Sequence, residues 1–131
     1  MRIERSLNIL IAEDDINFGR VLKTELEEDK WAVDLAPNGV EAILSFLSRV
    51  YDLVLLDIRM PKLSGTDTLK IIKKLNPRVP VITFSGNAGN SEMAESVKFG
   101  AIKCLMKPFD IELLKKDIRG SGGGSSLSAQ K

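Results

Sequence analysis

The residues of this chain that could do chemistry are carboxylates, a lysine and a hydroxyl, and each stands where an apolar run stops. Glu13, Asp14 and Asp15 follow Leu7-Asn8-Ile9-Leu10-Ile11-Ala12, and Asp57 follows Leu53-Val54-Leu55-Leu56. Ser85 follows the run from Val79 to Phe84, and Lys107 the run from Ala101 to Met106. Short apolar runs of this kind suit strands buried on both faces. If the strands are parallel, all of these residues reach the same carboxyl-terminal edge, where open α/β sheets bind ligands. Carboxylates gathered there repel one another. At roughly 4 Å each like pair costs about 4 kcal/mol at an effective dielectric near 20, against about 1 kcal/mol in bulk water. A divalent cation removes that cost, and all-oxygen ligation favours magnesium, manganese or calcium over zinc. Magnesium keeps several waters and takes one or two carboxylates plus a phosphate oxygen, and Lys107 would add a second positive charge.

Taken singly, each residue has a plainer reading. An acidic run often caps a helix, a lone aspartate often sits in a turn, and a lone lysine is usually solvated. Those readings do not predict that all of them follow the appropriate strands, and the joint placement is what argues for a site.

The remaining composition narrows the chemistry. The chain has 131 residues, 44% hydrophobic and 28% charged, the size and balance of one packed domain with a short appendage. There is no histidine, which excludes Ser-His-Asp, Cys-His and His-ligated zinc arrangements. The one cysteine, Cys104, can form neither an internal disulfide nor a thiolate cluster, in keeping with a reducing, cytoplasmic setting. Without Lys131, the only charge beyond Arg119, the body carries 18 basic and 18 acidic residues. That balance offers no electrostatic footprint for nucleic acid or a membrane surface. No apolar run approaches the roughly 18 residues of a membrane span, and Met1-Arg2-Ile3-Glu4-Arg5 lacks a secretory apolar core.

The elements that must position these residues alternate along the chain. Asp15 or Asn17 is placed to cap a helix carrying Phe18, Val21 and Leu22, and a weaker strand follows at Trp31 to Leu35. Pro37-Asn38-Gly39 is a turn, and Val40, Ile43, Leu44 and Leu47 then repeat at i, i+3, i+4, i+7 as an amphipathic helix. After the Asp57 strand come the loop Met60 to Gly65 and a helix with Leu69, Ile72 and Leu75. Met93, Ala94 and Val97 mark a short helix stopped by Gly100, and Ile111, Leu114 and Ile118 the last one, with Asp110 as its cap. Five strands alternating with five helices predict a doubly wound parallel sheet of flavodoxin-like order 2-1-3-4-5. That order sets the first and third strands side by side, so Glu13, Asp14 and Asp57 share one hollow. The closing segment from Gly120 to Lys131 has the composition of a flexible linker, either a hinge toward further sequence or a remnant.

At this point the chain resembles the receiver domains of two-component response regulators. The resemblance rests on Ile9-Leu10-Ile11-Ala12-Glu13-Asp14-Asp15, on Asp52 through Pro61, on Ser64-Gly65, on Pro80 through Gly86, and on Gly100-Ala101 leading to Lys107-Pro108-Phe109. It covers roughly Leu7 to Arg119, within a receiver unit of residues 1–119 followed by a tail of 120–131. It implies that Asp57 accepts a phosphoryl group from the phosphohistidine of a sensor histidine kinase or a phosphotransfer protein. It also implies Mg²⁺ held by Asp14 and Asp57, with the Arg59 carbonyl as a third protein ligand and Glu13 acting through water. Ser85 would hydrogen-bond one phosphoryl oxygen and Lys107 would pair with another, with the bond before Pro108 cis. On phosphorylation Ser85 would move, the loop Gly86 to Asn90 would rearrange, and the surface of the last two helices would change to bind an output domain or a second copy. Catalysis would be confined to the domain's own phosphorylation and dephosphorylation.

Two departures bear on that switch. The family's usual Tyr or Phe three residues before the lysine is here Cys104, expected as a small packing residue, so the aromatic half of the switch is missing. Arg59 and Asn87 stand at the positions that influence dephosphorylation in the family. The competing readings are a phosphorylation-independent interaction module of the same fold and an aspartate-nucleophile phosphatase. The phosphatase needs a second aspartate two residues after the nucleophile, where this chain has Arg59. A nucleotide-binding module is disfavoured, because no Gly-rich phosphate loop follows the first strand.

Overall fold

A computed structural model describes residues 6–86 and 90–120. The start of the chain at 1–5, Asn87 and most of the 86–90 loop, and the tail from 121 onward lie outside the described residues. Five strands and five helices alternate: β1 (Asn8–Ala12), α1 (Ile16–Glu27), β2 (Ala32–Ala36), α2 (Gly39–Ser48), β3 (Leu53–Asp57), α3 (Gly65–Leu75), β4 (Val81–Ser85), α4 (Asn90–Lys98), β5 (Lys103–Met106) and α5 (Ile111–Gly120). All pairings are parallel and the order is β2-β1-β3-β4-β5, the doubly wound arrangement expected.

The sheet divides the interior because successive side chains of a strand point to opposite faces. Ile9, Ile11, Leu53, Leu55, Ile82 and Phe84 pack on one side with Leu22 and Leu26 of α1 and Leu114 and Ile118 of α5. Leu10, Ala12, Val54, Leu56 and Val81 pack on the other with Ala42 of α2 and Leu69 and Ile72 of α3. Each fully buried Leu or Ile is worth about 2 kcal/mol, so the central strands are fixed by both layers at once. Among the described residues no helix is long and apolar enough to cross a membrane.

Caps define where the helices begin. The Asp15 carboxylate accepts from the Phe18 amide at 3.1 Å, which makes Asp15 rather than Asn17 the cap of α1. Asn38 caps α2 through the Glu41 amide, Ser64 caps α3 through the Asp67 amide, and Asp110 accepts from the Glu112 amide at 2.9 Å. Gly100 closes α4 at φ +114°, a backbone conformation open to glycine.

Helices α2 and α4 present a different face from the one their apolar spacing suggests, whereas α1 and α3 bury Leu22, Leu69 and Ile72 as expected. In α2 the buried residues are Gly39 and Ala42, whereas Leu44 and Leu47 are 52% and 62% exposed. Gly39 lets the backbone come so close to Thr68 that an added Cβ would lie 2.4 Å from its hydroxyl oxygen. The helix therefore settles on its small residues and turns the two leucines outward. Val21 of α1, Leu75 of α3 and Val97 of α4 are likewise exposed. In α4 the residue facing the sheet is Ser96, whose hydroxyl lies 2.6 Å from that of Thr83 in the buried interior. Strand edges move by one or two residues: β2 starts after Trp31, β4 after Pro80, and β5 after Ile102.

Candidate functional site

The residues of the site are delivered by strand ends, and local backbone contacts fix Glu13, Asp57, Ser85 and Lys107. At the end of β1 the Glu13 amide donates to the Ala36 carbonyl of β2 at 2.9 Å, and the Glu13 carboxylate accepts from the Asp15 amide at 2.9 Å. Asp57 is the last residue of β3. One of its oxygens accepts from the Arg59 amide at 3.0 Å. The loop behind it is drawn in by Gly65, whose amide donates to the Ile58 carbonyl at 2.7 Å. A Cβ at Gly65 would lie 2.1 Å from the Asp57 carbonyl oxygen, so only glycine fits this approach. Ser85 ends β4, buried and in register with Met106, and its carbonyl accepts from the Lys107 amide at 2.8 Å. The Lys107-Pro108 bond is cis, as expected.

The side chains meet. One carboxylate oxygen from each of Glu13, Asp14 and Asp57 lies within 4.8 Å of the other two, with Asp14 exposed and the others buried. Lys107 reaches them from β5: its Nζ lies 2.6 Å from Glu13 Oε1 and donates to Asp57 Oδ2 at 3.3 Å. Glu13 Oε1 is buried and close to that ammonium but lacks the alignment of a hydrogen bond. The ammonium also lies over aromatic rings, 4.5 Å from the Phe18 centroid and 5.5 Å from that of Phe84.

Burial and charge shape the ionisation here. Burial, reinforced by the neighbouring Asp57, pushes Glu13 up to about 7, against the opposing pull of Lys107 and the Asp15 amide. For Lys107 burial acts downward, but the Glu13 and Asp57 carboxylates outweigh it and hold the ammonium above its ordinary range. A misaligned buried carboxylate oxygen beside two further carboxylates is a donor set that suits a hard cation with oxygen ligands. The residues fit such an ion.

Of the residues singled out in the sequence, Glu13, Asp14, Asp57 and Lys107 are brought together. Ser85 stands at the adjoining strand end and Arg59 in the loop after Asp57. Arg59 meets Asp57 through its amide, while its guanidinium turns outward to Glu92 of α4, with Nη2 to Oε1 at 2.9 Å. Cys104, expected as a buried packing residue, is half-buried on β5 opposite Thr83. Among the described residues no strand lies beyond edge strand β5 to complete the enclosure. The Glu92 contact and the stacking of Phe18 on Lys107 leave no signal in the sequence. Glu92 lies 33 residues from Arg59, beyond any local pattern, and Phe18 reads from its spacing as one more core residue of α1.

Residues 9–119 match the response regulator receiver domain family. The transcriptional regulatory protein ZraR of Klebsiella oxytoca is 38% identical over 122 residues, 93% of this chain and 28% of that protein. The CpxR homolog of Haemophilus influenzae is 41% identical over 109 residues, 82% of this chain and 47% of that protein. The chain thus spans less than half the length of these curated relatives. Among solved structures, the receiver domain of the Francisella response regulator 1452 superposes with a TM-score of 0.82 at 31% identity, covering 95% of this chain and 98% of that one. Strand ends, sheet order and sequence similarity converge on one conclusion: the chain belongs to the response regulator receiver domains of two-component systems.

Proposed function

We propose that the domain is a phosphorylation-activated switch in which Asp57 accepts a phosphoryl group from a sensor histidine kinase or phosphotransfer protein. An Asp57 carboxylate oxygen forms a bond to phosphorus as the bond from phosphorus to the donor's imidazole nitrogen breaks, and that nitrogen leaves with the electron pair. Mg²⁺, held by Asp14, Asp57 and the Arg59 carbonyl with Glu13 acting through water, would supply charge neutralisation at the transferring group. Lys107 would offer a second positive charge, and the Ser85 hydroxyl a hydrogen bond. This division of labour suits phosphoryl transfer, which is catalysed mainly by alignment and electrostatics.

The observation carrying this reading is the 3.3 Å contact between Lys107 Nζ and Asp57 Oδ2 beside a cluster of three carboxylates. Its consequence is a shift of population toward a state whose last two helices present an altered surface, by the differential contacts of the phosphoryl group. The partners would be an output domain or a second copy, in the cytoplasm, with residues 1–119 as the receiver unit and 120–131 as a tail. Neither nucleic acid nor a membrane would be bound by this unit directly, and it would turn over no external substrate.

A phosphorylation-independent module is the second reading, favoured by one observation: Cys104 holds the place of the family's switch aromatic. Incubation with acetyl phosphate and Mg²⁺, followed by intact mass, separates the two. Addition of one phosphoryl group that Asp57→Asn abolishes supports the switch, and an unchanged mass supports the module.

A further inference from the structure

The Lys107 ammonium has two kinds of partner. One is the pair of Glu13 and Asp57 carboxylates at 2.6 and 3.3 Å. The other is the face of Phe18, whose centroid is 4.5 Å away. The Phe18 ring is itself held. It meets Phe84 edge-on with centroids 5.8 Å apart and Phe109 edge-on at 5.7 Å. Its backbone is pinned in the first turn of α1, where the Phe18 amide donates to the capping Asp15 carboxylate. With the Lys107 side chain only 18% exposed, little water competes for the ammonium, which is the setting in which attraction to a ring quadrupole is strongest.

The two kinds of partner differ in what happens when other charges enter the site. Carboxylates that take part in holding a cation attract the lysine less, whereas a ring face keeps its attraction. We propose that Phe18 is a positioning residue for Lys107: its ring holds the ammonium over the acceptor edge, so that Lys107 remains aimed at an incoming phosphoryl group when its carboxylate partners are otherwise engaged. The proposal rests on the reading of Asp57 as acceptor and Lys107 as the partner of the phosphoryl group. Phe84, at 5.5 Å, is the weaker of the two rings and is committed to the core of β4, so Phe18 is the one that can be varied.

The test is the rate of phosphorylation of the full chain by acetyl phosphate with Mg²⁺, followed by intact mass. Phe18→Leu keeps an apolar side chain and removes the ring, and Phe18→Tyr keeps the ring. Phe18→Met serves beside Leu as a second ringless variant should Leu unfold the chain. The ringless variants are expected to slow phosphorylation about tenfold, with Phe18→Tyr within about twofold of the unaltered chain. In a Lys107→Met background Phe18→Leu should cost nothing further, because the group it positions is gone. Equal rates for the Leu and Tyr variants, or the same loss in both backgrounds, would overturn the proposal and leave the acceptor reading standing. An unaltered chain that takes up no phosphoryl group would overturn the acceptor reading, and the proposal with it.

Discussion

Asp57 and Glu13 lie in a buried cluster of like charge, and Lys107 is the cation that makes their proximity tolerable. The three carboxylates differ in their surroundings. Asp14 is exposed and able to meet an incoming ion, whereas Glu13 is buried, engaged by the Asp15 amide and pushed up to about 7. Asp14→Ala is therefore expected to weaken Mg²⁺ binding more than Glu13→Ala, with the Glu13 variant losing about tenfold. Titration calorimetry checks this, and equal losses would count against a direct role for Asp14. Much of this was legible in the sequence, because each of these side chains interrupts an apolar run at a strand end. The contacts that refine them were not. Arg59 reaches Glu92 across 33 residues, and the Phe18 ring faces Lys107 from another element, so neither leaves a local spacing to read.

At the scale of elements, the loop between β3 and α3 depends on Gly65. A methyl group there would meet the Asp57 backbone oxygen at 2.1 Å, and backbone cannot step aside as a flexible side chain does. Gly65→Ala should cost about 2 kcal/mol, read as a lowered urea midpoint, and should also slow phosphorylation because Asp57 itself must move. Helix α4 is attached differently, through the buried Ser96 and Thr83 hydroxyls 2.6 Å apart. Ser96→Ala alone leaves a buried partner weakly satisfied and should cost about 1 to 3 kcal/mol. Adding Thr83→Val should recover part of that loss, and a purely additive double variant would argue that the two hydroxyls are independent. Strand positions followed from the apolar runs within a residue or two, because a doubly buried strand leaves little choice of residue. Helix faces were less legible. Val40, Ile43, Leu44 and Leu47 repeat with helical spacing, and Ile43 packs against the core, yet the other three are exposed and α2 rests on Gly39 and Ala42, since close approach to Thr68 matters more than the width of the apolar stripe.

Across the whole molecule, a polar clasp ties the end of α1 to α5. Lys115 of α5 is buried and lies 3.2 Å from Asp29, and Arg119 pairs with the same carboxylate. Burial acts upward on Asp29, but Arg119 and Lys115 outweigh it and hold the carboxyl below its usual value of 3.8. A carboxylate with a depressed folded pKa stabilises fully above its unfolded value, and that contribution fades as pH falls through the folded one. Acid unfolding of the unaltered chain should therefore steepen below about pH 3.8, and Asp29→Asn should flatten that part of the curve. Identical acid profiles would remove the clasp from the stability of the fold. The function proposed above depends at this scale on one covalent event at the sheet edge. The most direct measurement is borohydride trapping after reaction with acetyl phosphate and Mg²⁺, followed by fragmentation mass spectrometry, since reduction of an acyl phosphate converts the aspartate to homoserine at the modified position. Homoserine at position 57 and nowhere else is the predicted result. Homoserine at Asp14 or Asp15, or none after full incubation, would contradict it.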